Sequence, residues 1–504
     1  MMKPPVQILR LSRKACLYCK TSKRRCDRLL PSCSLCNRRG LDCSYPGARK
    51  ADVDRPGGSP PTPEAALGRD FPAVFFLEPE LFRDAQIEIP RLTIPVGSKV
   101  TQLVGDLASI RAHAQEYFDN IHTWLPIISK KRFYQHLINP LSQKQVELNL
   151  LALAMRLCSC RPEDAAKDNL YATAKQFHFE AVSAGLFSIQ ILQGSILIAL
   201  YELGQSIYPA AFLSIGTCAR YGVALGIDKL ESEAEEQEFS WVEIEERRRV
   251  WWSILILDRF MGLSDPHRSL ATQDPTFESY LPVDDDAWDS GTSKPQDAMK
   301  MSSAFSLKQG RFARLSQTTL LLSQALRHAA SPATDPILYD EESAQLRRTL
   351  FALIQVSHTE AHLRQLEFCA QSAVTYSTIL LLQERRWRRD NGDFTPLSAE
   401  MVQQISPETT SVITELTELV TQLLDNCMRD SILSCKLSPF LVRVMYQACA
   451  ILTRLNKATN DPVRTQTISQ FKELLGRFDL QLRSAGTYLS MLEAKELMWE
   501  AAGR

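Results

Sequence analysis

The 504-residue sequence has no long hydrophobic run and no formal net charge. Its most apolar stretch, VWWSILIL from Val250, ends at Asp258 and is far shorter than the ~18 residues of a membrane-spanning helix. The first residues, MMKPPVQILRLSRKAC, contain neither an apolar segment of signal-peptide length nor a small-residue cleavage site. We therefore expect neither membrane insertion nor secretion.

Common enzyme motifs are also missing. The patterns G-x-S-x-G, Walker A, G-x-G-x-x-G and H-E-x-x-H do not occur, so the sequence offers no recognisable nucleophile or phosphate-binding loop. Asp258 and Arg259, adjacent in an apolar segment, are better explained as a structural ion pair than as an active site. We expect that the protein is not an enzyme.

Cysteine, in contrast, is concentrated in one segment, CLYCKTSKRRCDRLLPSCSLCNRRGLDC, which begins at Cys16 and ends at Cys43. The spacing C-x2-C-x6-C occurs twice, so the second half repeats the first. A C-x2-C pair directs two thiolates at one metal ion, and the third cysteine can complete the same site. The candidate ligands are Cys16, Cys19, Cys26, Cys33, Cys36 and Cys43.

The number of cysteines constrains the metal site. Two separate tetrahedral zinc sites need about eight thiolates, so six can serve two zinc ions only if two of them bridge. The repeat indicates the first cysteine of each half, Cys16 and Cys33. A disulfide framework would need an oxidising compartment, a redox C-x-x-C normally lies at a strand–helix junction, and copper sites more often use C-x-C pairs. The regular spacing favours zinc.

Charge is divided unevenly along the chain. Residues 1–50 contain 13 Lys and Arg but only Asp27 and Asp42 as acids, and the remainder of the chain carries the compensating negative charge. A compact cationic segment around a metal site is expected to bind phosphate. The distribution favours nucleic acid as a partner.

This segment resembles the fungal zinc binuclear cluster (Zn2Cys6) DNA-binding domain. All six cysteines match the family pattern, as do the basic residues before the third cysteine, Asp27 after it, Pro31 in the loop and Tyr45 after the last cysteine. The resemblance implies two zinc ions per chain. One would be held by Cys16, Cys19, Cys26 and Cys33, and the other by Cys33, Cys36, Cys43 and Cys16.

The resemblance also implies how the segment contacts double-stranded DNA. Short helices are expected around residues 17–24 and 34–40, and the end of the first would enter the major groove, where a lysine recognises guanine in a C-G-G triplet. By position this lysine is Lys23, and Ser22 stands where the family commonly has a second basic residue. The expected phosphate contacts are Lys20, Arg24, Arg25, Arg38 and Arg39.

From about residue 99 the apolar residues recur at helical spacing. We predict a helix from Leu103 to Ile121 and further helices over 145–160, 170–185, 189–208, 210–226, 241–263, 345–365, 373–389, 411–427, 441–455 and 467–485. Residues 188–228 and 243–266 resemble the regulatory middle region of the same fungal family, through Gln193, Ala219-Arg220, Glu245 to Arg249, Trp251, Trp252 and Asp258-Arg259. Trp251 and Trp252 are expected to be core residues.

The predicted fold is mainly α. Its expected parts are a basic arm (1–15), a Zn2Cys6 module with two short helices (16–45), a flexible Pro/Gly-rich linker (46–95), an all-α regulatory domain (96–290) and a C-terminal helical region (291–504). Pro72, Pro79 and Pro90 interrupt any heptad pattern between Ala65 and Arg91, in the second half of the linker. The oligomeric state therefore stays open.

These features predict a nuclear, sequence-specific regulator of genes transcribed by RNA polymerase II, with secondary-metabolite or catabolic pathway genes as candidate targets. Its expected partners are DNA and the transcription machinery or co-regulators, and a small-molecule effector is a further candidate. The alternative is a nuclear co-regulator whose zinc cluster mainly contacts protein.

Overall fold

The computed structural model describes most of the chain in ranges separated by gaps. The described residues are 14–29, 32–41, 43–45, 72–85, 87, 89, 94–138, 145–160, 167–229, 239–303, 306–332, 335–367, 369–392, 397–429 and 437–502. Most of the expected basic arm, and residues 46–71 of the expected linker, lie outside these ranges.

The chain divides into two compact units. The first comprises Met1–Ile94 with Val182–Leu186, and the second, here called the helical unit, comprises Pro95–Ala181 with Phe187–Arg504. The described part of residues 14–45 is called the cysteine module. Apart from Val182–Leu186, the regions separated at residue 290 in the sequence analysis lie in the helical unit.

The described residues confirm a mainly α fold. They contain no β-strand, and an isolated antiparallel bridge joins Tyr280 and Lys300. The helices are α1 Leu17–Thr21, α2 Ser34–Arg38, α3 Val74–Leu77, α4 Pro79–Asp84, α5 Ser98–Val104, α6 Leu107–Asp119, α7 Lys130–Ile138, α8 Gln145–Ser159, α9 Lys167–Ser183, α10 Ile189–Gly204, α11 Ala210–Ala224, α12 Trp241–Gly262, α13 Asp285–Asp289, α14 Arg311–Ala330, α15 Pro336–Arg364, α16 Cys369–Asn391, α17 Ala399–Gln403, α18 Pro407–Arg429, α19 Pro439–Thr459, α20 Pro462–Phe478 and α21 Arg483–Ala502.

Four helices of the helical unit begin with the same sequence pattern, a capping Asp or Ser followed by proline. This pattern starts a helix because proline tolerates the first helical position and the capping oxygen accepts a free backbone N–H. The caps are Asp335 for α15, Ser406 for α18, Ser438 for α19 and Asp461 for α20, with N–H to oxygen distances between 2.9 and 3.3 Å. These local signals set where the long helices start.

Helix α10 lies at the centre of the first half of the helical unit. Every residue of α10 is buried, and it packs against α8, α11 and α12. Gly194 allows the close approach to α8, since a Cβ there would lie 3.1 Å from Leu150 Cγ. A helix that is buried on all sides belongs in a core.

The second half continues this packing. Helix α12 contacts α14, which packs against α15 and α16, and α16 packs against α19, which contacts α20 and α21. Buried ion pairs lie within this core. Asp258 and Arg259 form the predicted structural pair, with Oδ2 and Nη1 3.0 Å apart, and Arg259 is fully buried.

Several of the helix predictions were wrong in detail. The helix predicted from Leu103 to Ile121 is broken, because Gly105 adopts a positive φ of 78° and Asp106 caps the next helix at 2.8 Å from the Ser109 amide. The helix predicted over 467–485 ends at Phe478, where Asp479 turns back to accept the Gly486 N–H at 3.1 Å. Helices α7 and α14 and most of α21 were not predicted.

Candidate metal centre and nucleic-acid interface

The six predicted cysteines come together in the cysteine module. Their sulfur atoms form two overlapping groups, each with all four sulfurs within 4.8 Å of one another. The first group contains Cys16, Cys19, Cys26 and Cys33, and the second contains Cys16, Cys33, Cys36 and Cys43. Cys16 and Cys33 belong to both groups, as required of bridging ligands.

The spacing of the sulfur atoms fits tetrahedral zinc. The Sγ atom of Cys16 lies 3.7 Å from those of Cys33 and Cys36, and the Sγ atoms of Cys19 and Cys33 are also 3.7 Å apart. A tetrahedron with zinc–sulfur bonds of about 2.3 Å has sulfur–sulfur edges of about 3.8 Å. All six cysteines are free thiols. Their arrangement therefore fits metal ligation.

The two halves of the module make equivalent hydrogen bonds between backbone N–H groups and cysteine sulfurs. The N–H groups of Cys16 and Cys33 donate to the sulfurs of Cys26 and Cys43, at 3.5 and 3.2 Å. Cys16 and Cys33 are also the N-caps of α1 and α2, and each Sγ accepts an N–H from the residue three positions later at 3.4 Å. Hydrogen bonds from amides to sulfur stabilise the thiolate form of cysteine. The backbone of each half therefore favours deprotonation of the cysteines in that half.

Helices α1 and α2 are shorter than predicted, ending at Thr21 and Arg38. The reason is a left-handed residue after each helix: φ is 48° at Lys23 and 62° at Gly40. The next residue in each half donates its N–H back to a cysteine carbonyl, Arg24 to Cys19 at 2.8 Å and Leu41 to Cys36 at 3.0 Å. A left-handed residue is a common helix terminator.

Two side chains outside the cysteines support the module. Tyr45 is buried against the cysteines, and its hydroxyl donates to the Leu29 carbonyl at 2.7 Å. Asp27 accepts the N–H of Ser34 at 3.1 Å, and hydrogen bonding from the Ser34 side chain, together with this amide, lowers the pKa of the Asp27 carboxyl. Asp27 thus joins the end of the first half to the beginning of α2.

Burial and hydrogen bonding shift the pKa values of the cysteines in opposite directions. Burial, followed by the neighbouring thiols, raises the pKa of Cys36 well above its usual range. At Cys33 burial acts in the same direction, but hydrogen bonds from the Cys36 amide and neighbouring thiols outweigh it and lower the pKa of Cys33 to about 6. A cluster of buried thiols that must lose protons is expected to release them when metal binds.

The predicted DNA contacts are all exposed on the cysteine module. Lys20 lies in the last turn of α1, Ser22 is its C-cap, and Lys23 follows in the left-handed conformation. Arg24 and Arg25 continue towards Cys26. In the second half, Arg38 is the last residue of α2 and Arg39 is its C-cap. Exposed cations beside a compact metal site are suited to phosphate.

Comparison with known families agrees with this geometry. Residues 14–52 match the fungal Zn(2)-Cys(6) binuclear cluster domain, and residues 114–362 match the fungal specific transcription factor domain. Over 181 residues the chain is 33% identical to transcription factor BOA15 of Botryotinia fuckeliana, a match that covers 35% of this chain and 98% of that protein. The chain belongs to the fungal Zn2Cys6 transcription factor family.

Other relatives of this Zn2Cys6 protein match shorter shares of their length. The pigment biosynthesis transcriptional activator pigB of Monascus ruber is 28% identical, over 35% of this chain and 34% of the relative. The tropolone cluster transcription factor tropK of Talaromyces stipitatus is 23% identical, over 49% of this chain and 54% of the relative. The chain thus spans about a third to a half of these two proteins.

Family membership confirms the function and the zinc content that were expected from the sequence. The Zn2Cys6 protein is a DNA-binding transcription regulator that binds two zinc ions, and the family is one of transcription factors rather than enzymes. Among the helices that the structure describes, none is both long and apolar enough to cross a membrane.

Two features of the helical unit were not recognised from the sequence. His358 and His362 lie four residues apart on α15, a spacing that can place two histidines beside one metal ion. Both are exposed, while Glu360 between them is buried against Arg314. They form no group of three metal-binding side chains within the described ranges. The second feature is a cavity beside Trp251, a residue that the sequence assigned to the core.

Proposed function

We propose that the cysteine module recognises CGG-like triplets in double-stranded DNA and thereby directs the protein to genes transcribed by RNA polymerase II in the nucleus. One zinc ion would be bound by Cys16, Cys19, Cys26 and Cys33, and the other by Cys33, Cys36, Cys43 and Cys16. The observation that carries the proposal is the position of Lys23. It is exposed, directly beyond α1, and its left-handed backbone is tied to the cluster through Arg24 and Cys19.

The roles proposed for the other cations follow from their positions. Lys23 would recognise guanine O6 and N7 in the major groove, because a base contact needs a side chain at a fixed place. Ser22, which precedes it, offers a hydroxyl to a phosphate or a base edge. Lys20, Arg24, Arg25, Arg38 and Arg39 would contact phosphates, which set the position of the protein on DNA without specifying sequence.

The chain organisation proposed is the one expected from the sequence. A basic arm (1–15) precedes the Zn2Cys6 module (16–45), and a linker (46–95) joins it to the regulatory domain (96–290) and the C-terminal helical region (291–504). The helical unit would contact the transcription machinery or co-regulators and respond to a small-molecule effector. The targets proposed are biosynthetic gene clusters, because relatives are named for pigment and tropolone biosynthesis.

A competition titration tests this function. The zinc-loaded full-length protein is titrated, at one fixed salt concentration, with a duplex that contains a CGG triplet and with a duplex of the same composition in which the triplet is scrambled. We expect at least about a tenfold preference for the CGG duplex, because one good base contact discriminates against the wrong base by about 1–3 kcal/mol. Equal binding to both duplexes would favour the alternative, a co-regulator whose cluster mainly contacts protein.

A further inference from the structure

A cavity of about 790 Å³ opens in the helical unit between α11, α12 and the segment that follows α12. This volume lies in the range of about 300–1,000 Å³ that small-molecule sites occupy. The apolar part of the wall includes Val223, Ile227 and Leu255, and the polar part includes Thr272 and Gln273. The lining thus combines an apolar surface with polar and charged side chains that can fix the orientation of a ligand.

Trp251 provides an aromatic wall whose position is fixed. Its neighbour Trp252 is buried and donates its indole N–H to the Tyr280 carbonyl at 2.8 Å, whereas Trp251 is only half-buried. The Trp251 ring lies against Gly222 of α11, where a Cβ would be 3.1 Å from Trp251 Cζ3. The glycine therefore allows the ring to approach α11 closely, and the partly exposed ring lines the cavity.

Arg248 supplies a buried cation at the cavity. Only 6% of the residue is exposed, and Nη1 donates to Glu245 Oε2 at 2.6 Å. Its buried Nε has no hydrogen-bond partner within the described residues and almost no accessible surface. The guanidinium carbon lies 5.1 Å from the centre of the Tyr280 ring. A ligand would therefore interact with the charge of this guanidinium rather than with its Nε–H.

The charges around the cavity favour an anion. Arg220 and Lys229 are exposed at its edge, and Arg248 lies inside. The lining carboxylates are Asp228 and Asp274, and Asp274 is already bound by two arginines at 3.0 and 3.1 Å. The lining therefore has one more cation than anions, which suits a ligand with a single negative charge.

We propose that this cavity binds a planar aromatic carboxylate. The ring of the ligand lies against Trp251, and its carboxylate pairs with the cations of the lining, Arg220 at the edge and Arg248 inside. This proposal rests on the effector part of the proposed function and names the chemical class of the effector. DNA recognition by the cysteine module is independent of it and is measured separately on the same protein.

The binding test uses 2-naphthoate as the probe. Isothermal titration calorimetry of the zinc-loaded full-length protein is expected to show one site per chain. Two matched compounds separate the contributions: 2-naphthamide lacks the charge, and cyclohexanecarboxylate lacks the aromatic ring. Both are expected to bind about tenfold more weakly than 2-naphthoate, because each loses one of the two interactions. Absence of saturable 2-naphthoate binding, or equal binding of all three compounds, would overturn the proposal.

Substitutions locate the site. Arg248→Met and Trp251→Leu are expected to weaken 2-naphthoate binding about tenfold, whereas Arg464→Gln, on the distant helix α20, is expected to leave it unchanged. Arg248→Met also breaks the pair with buried Glu245. A second variant, Arg220→Gln, changes an exposed residue and leaves this pair intact. It is expected to weaken 2-naphthoate binding severalfold. Equal affinity in the cavity variants and Arg464→Gln would place the ligand elsewhere and refute the assignment. If 2-naphthoate fails to bind while the CGG preference persists, the effector proposal alone is refuted.

Discussion

Lys23 and Gly40 occupy equivalent positions in the two halves of the cysteine module, and both have a left-handed backbone, with φ of 48° and 62°. Each follows a short helix that begins at a cysteine N-cap. Glycine adopts this conformation freely, whereas a residue with a Cβ does so at a cost of about 1–2 kcal/mol. The first half therefore keeps a lysine where the fold alone would favour glycine, which is consistent with a function for that side chain.

This relationship predicts opposite effects of two substitutions on the stability of the module. Gly40→Ala should destabilise it by about 1 kcal/mol, through the backbone alone, because no atom lies within 4 Å of the added Cβ. Lys23→Gly should slow the transfer of zinc to a chelator, and Gly40→Ala should accelerate it. Ser22→Ala, at a residue with an ordinary φ of −83°, serves as the control. Identical transfer rates for Gly40→Ala and the unmodified protein would refute the strain argument.

The division between base and phosphate contacts predicts two kinds of loss. Lys23→Ala should reduce the discrimination between CGG and scrambled duplexes by about 1–3 kcal/mol, while Arg39→Ala should weaken binding to both duplexes alike and reduce the salt dependence. Titrations of both variants at several salt concentrations measure these effects. An equal loss of discrimination in the two variants would contradict the assigned roles.

Zinc removal is expected to abolish DNA binding and unfold the cysteine module, because structural zinc supplies the folding energy of such small sites. The helical unit should keep its unfolding midpoint. Cys16→Ser, which changes a sulfur common to both groups, should lower the zinc content for both ions. Cys369→Ser, at an exposed cysteine of α16, should retain two ions per chain. Retention of two ions in Cys16→Ser would exclude the bridging role.

The buried arginine of α12 predicts a large effect on the helical unit. Arg249 is fully buried and donates to Glu245 Oε1 and Asp285 Oδ1, each at 2.8 Å. Arg249→Met should destabilise the unit by about 3–5 kcal/mol, because it leaves buried carboxylates short of a partner. Urea unfolding followed by tryptophan fluorescence reports on this unit, since all seven tryptophans lie beyond residue 120.

The matched control for this prediction is a partly exposed arginine. Arg464→Met removes a partly exposed cation 3.9 Å from Asp461 and should change stability by only about 0–1 kcal/mol. Similar losses in the two variants would show that Arg249 does not stabilise the unit through its buried ion pairs.

Sequence patterns predicted those parts of the structure that depend on local chemistry. The six cysteines come together because their spacing is set by two short turns, and the existence of the long helices follows from apolar periodicity. The Ser/Asp-Pro starts of α15, α18, α19 and α20 were missed, so these helices begin two to nine residues earlier than predicted. The break at Gly105 was missed, because the apolar stripe continues across it. The left-handed backbone of Lys23 was also missed, since lysine itself gives no signal for that conformation.

Long-range features had no local signal. The cavity is formed by α11, α12 and residues 271–280, and its aromatic wall looks like ordinary core in the sequence. The ion pair between Arg249 and Asp285 likewise joins positions 36 residues apart. Such contacts depend on how the helices pack, which periodicity alone does not specify.

Binding-site selection from random duplex DNA tests the central claim, zinc-dependent recognition of sequence by the cysteine module. The zinc-loaded full-length protein is expected to enrich a CGG-like triplet, and the number and spacing of enriched triplets will report the oligomeric state. Lys23→Ala and the zinc-depleted protein should enrich no such triplet. Enrichment of the same sequences without zinc, or no enrichment by the zinc-loaded protein, would contradict the account.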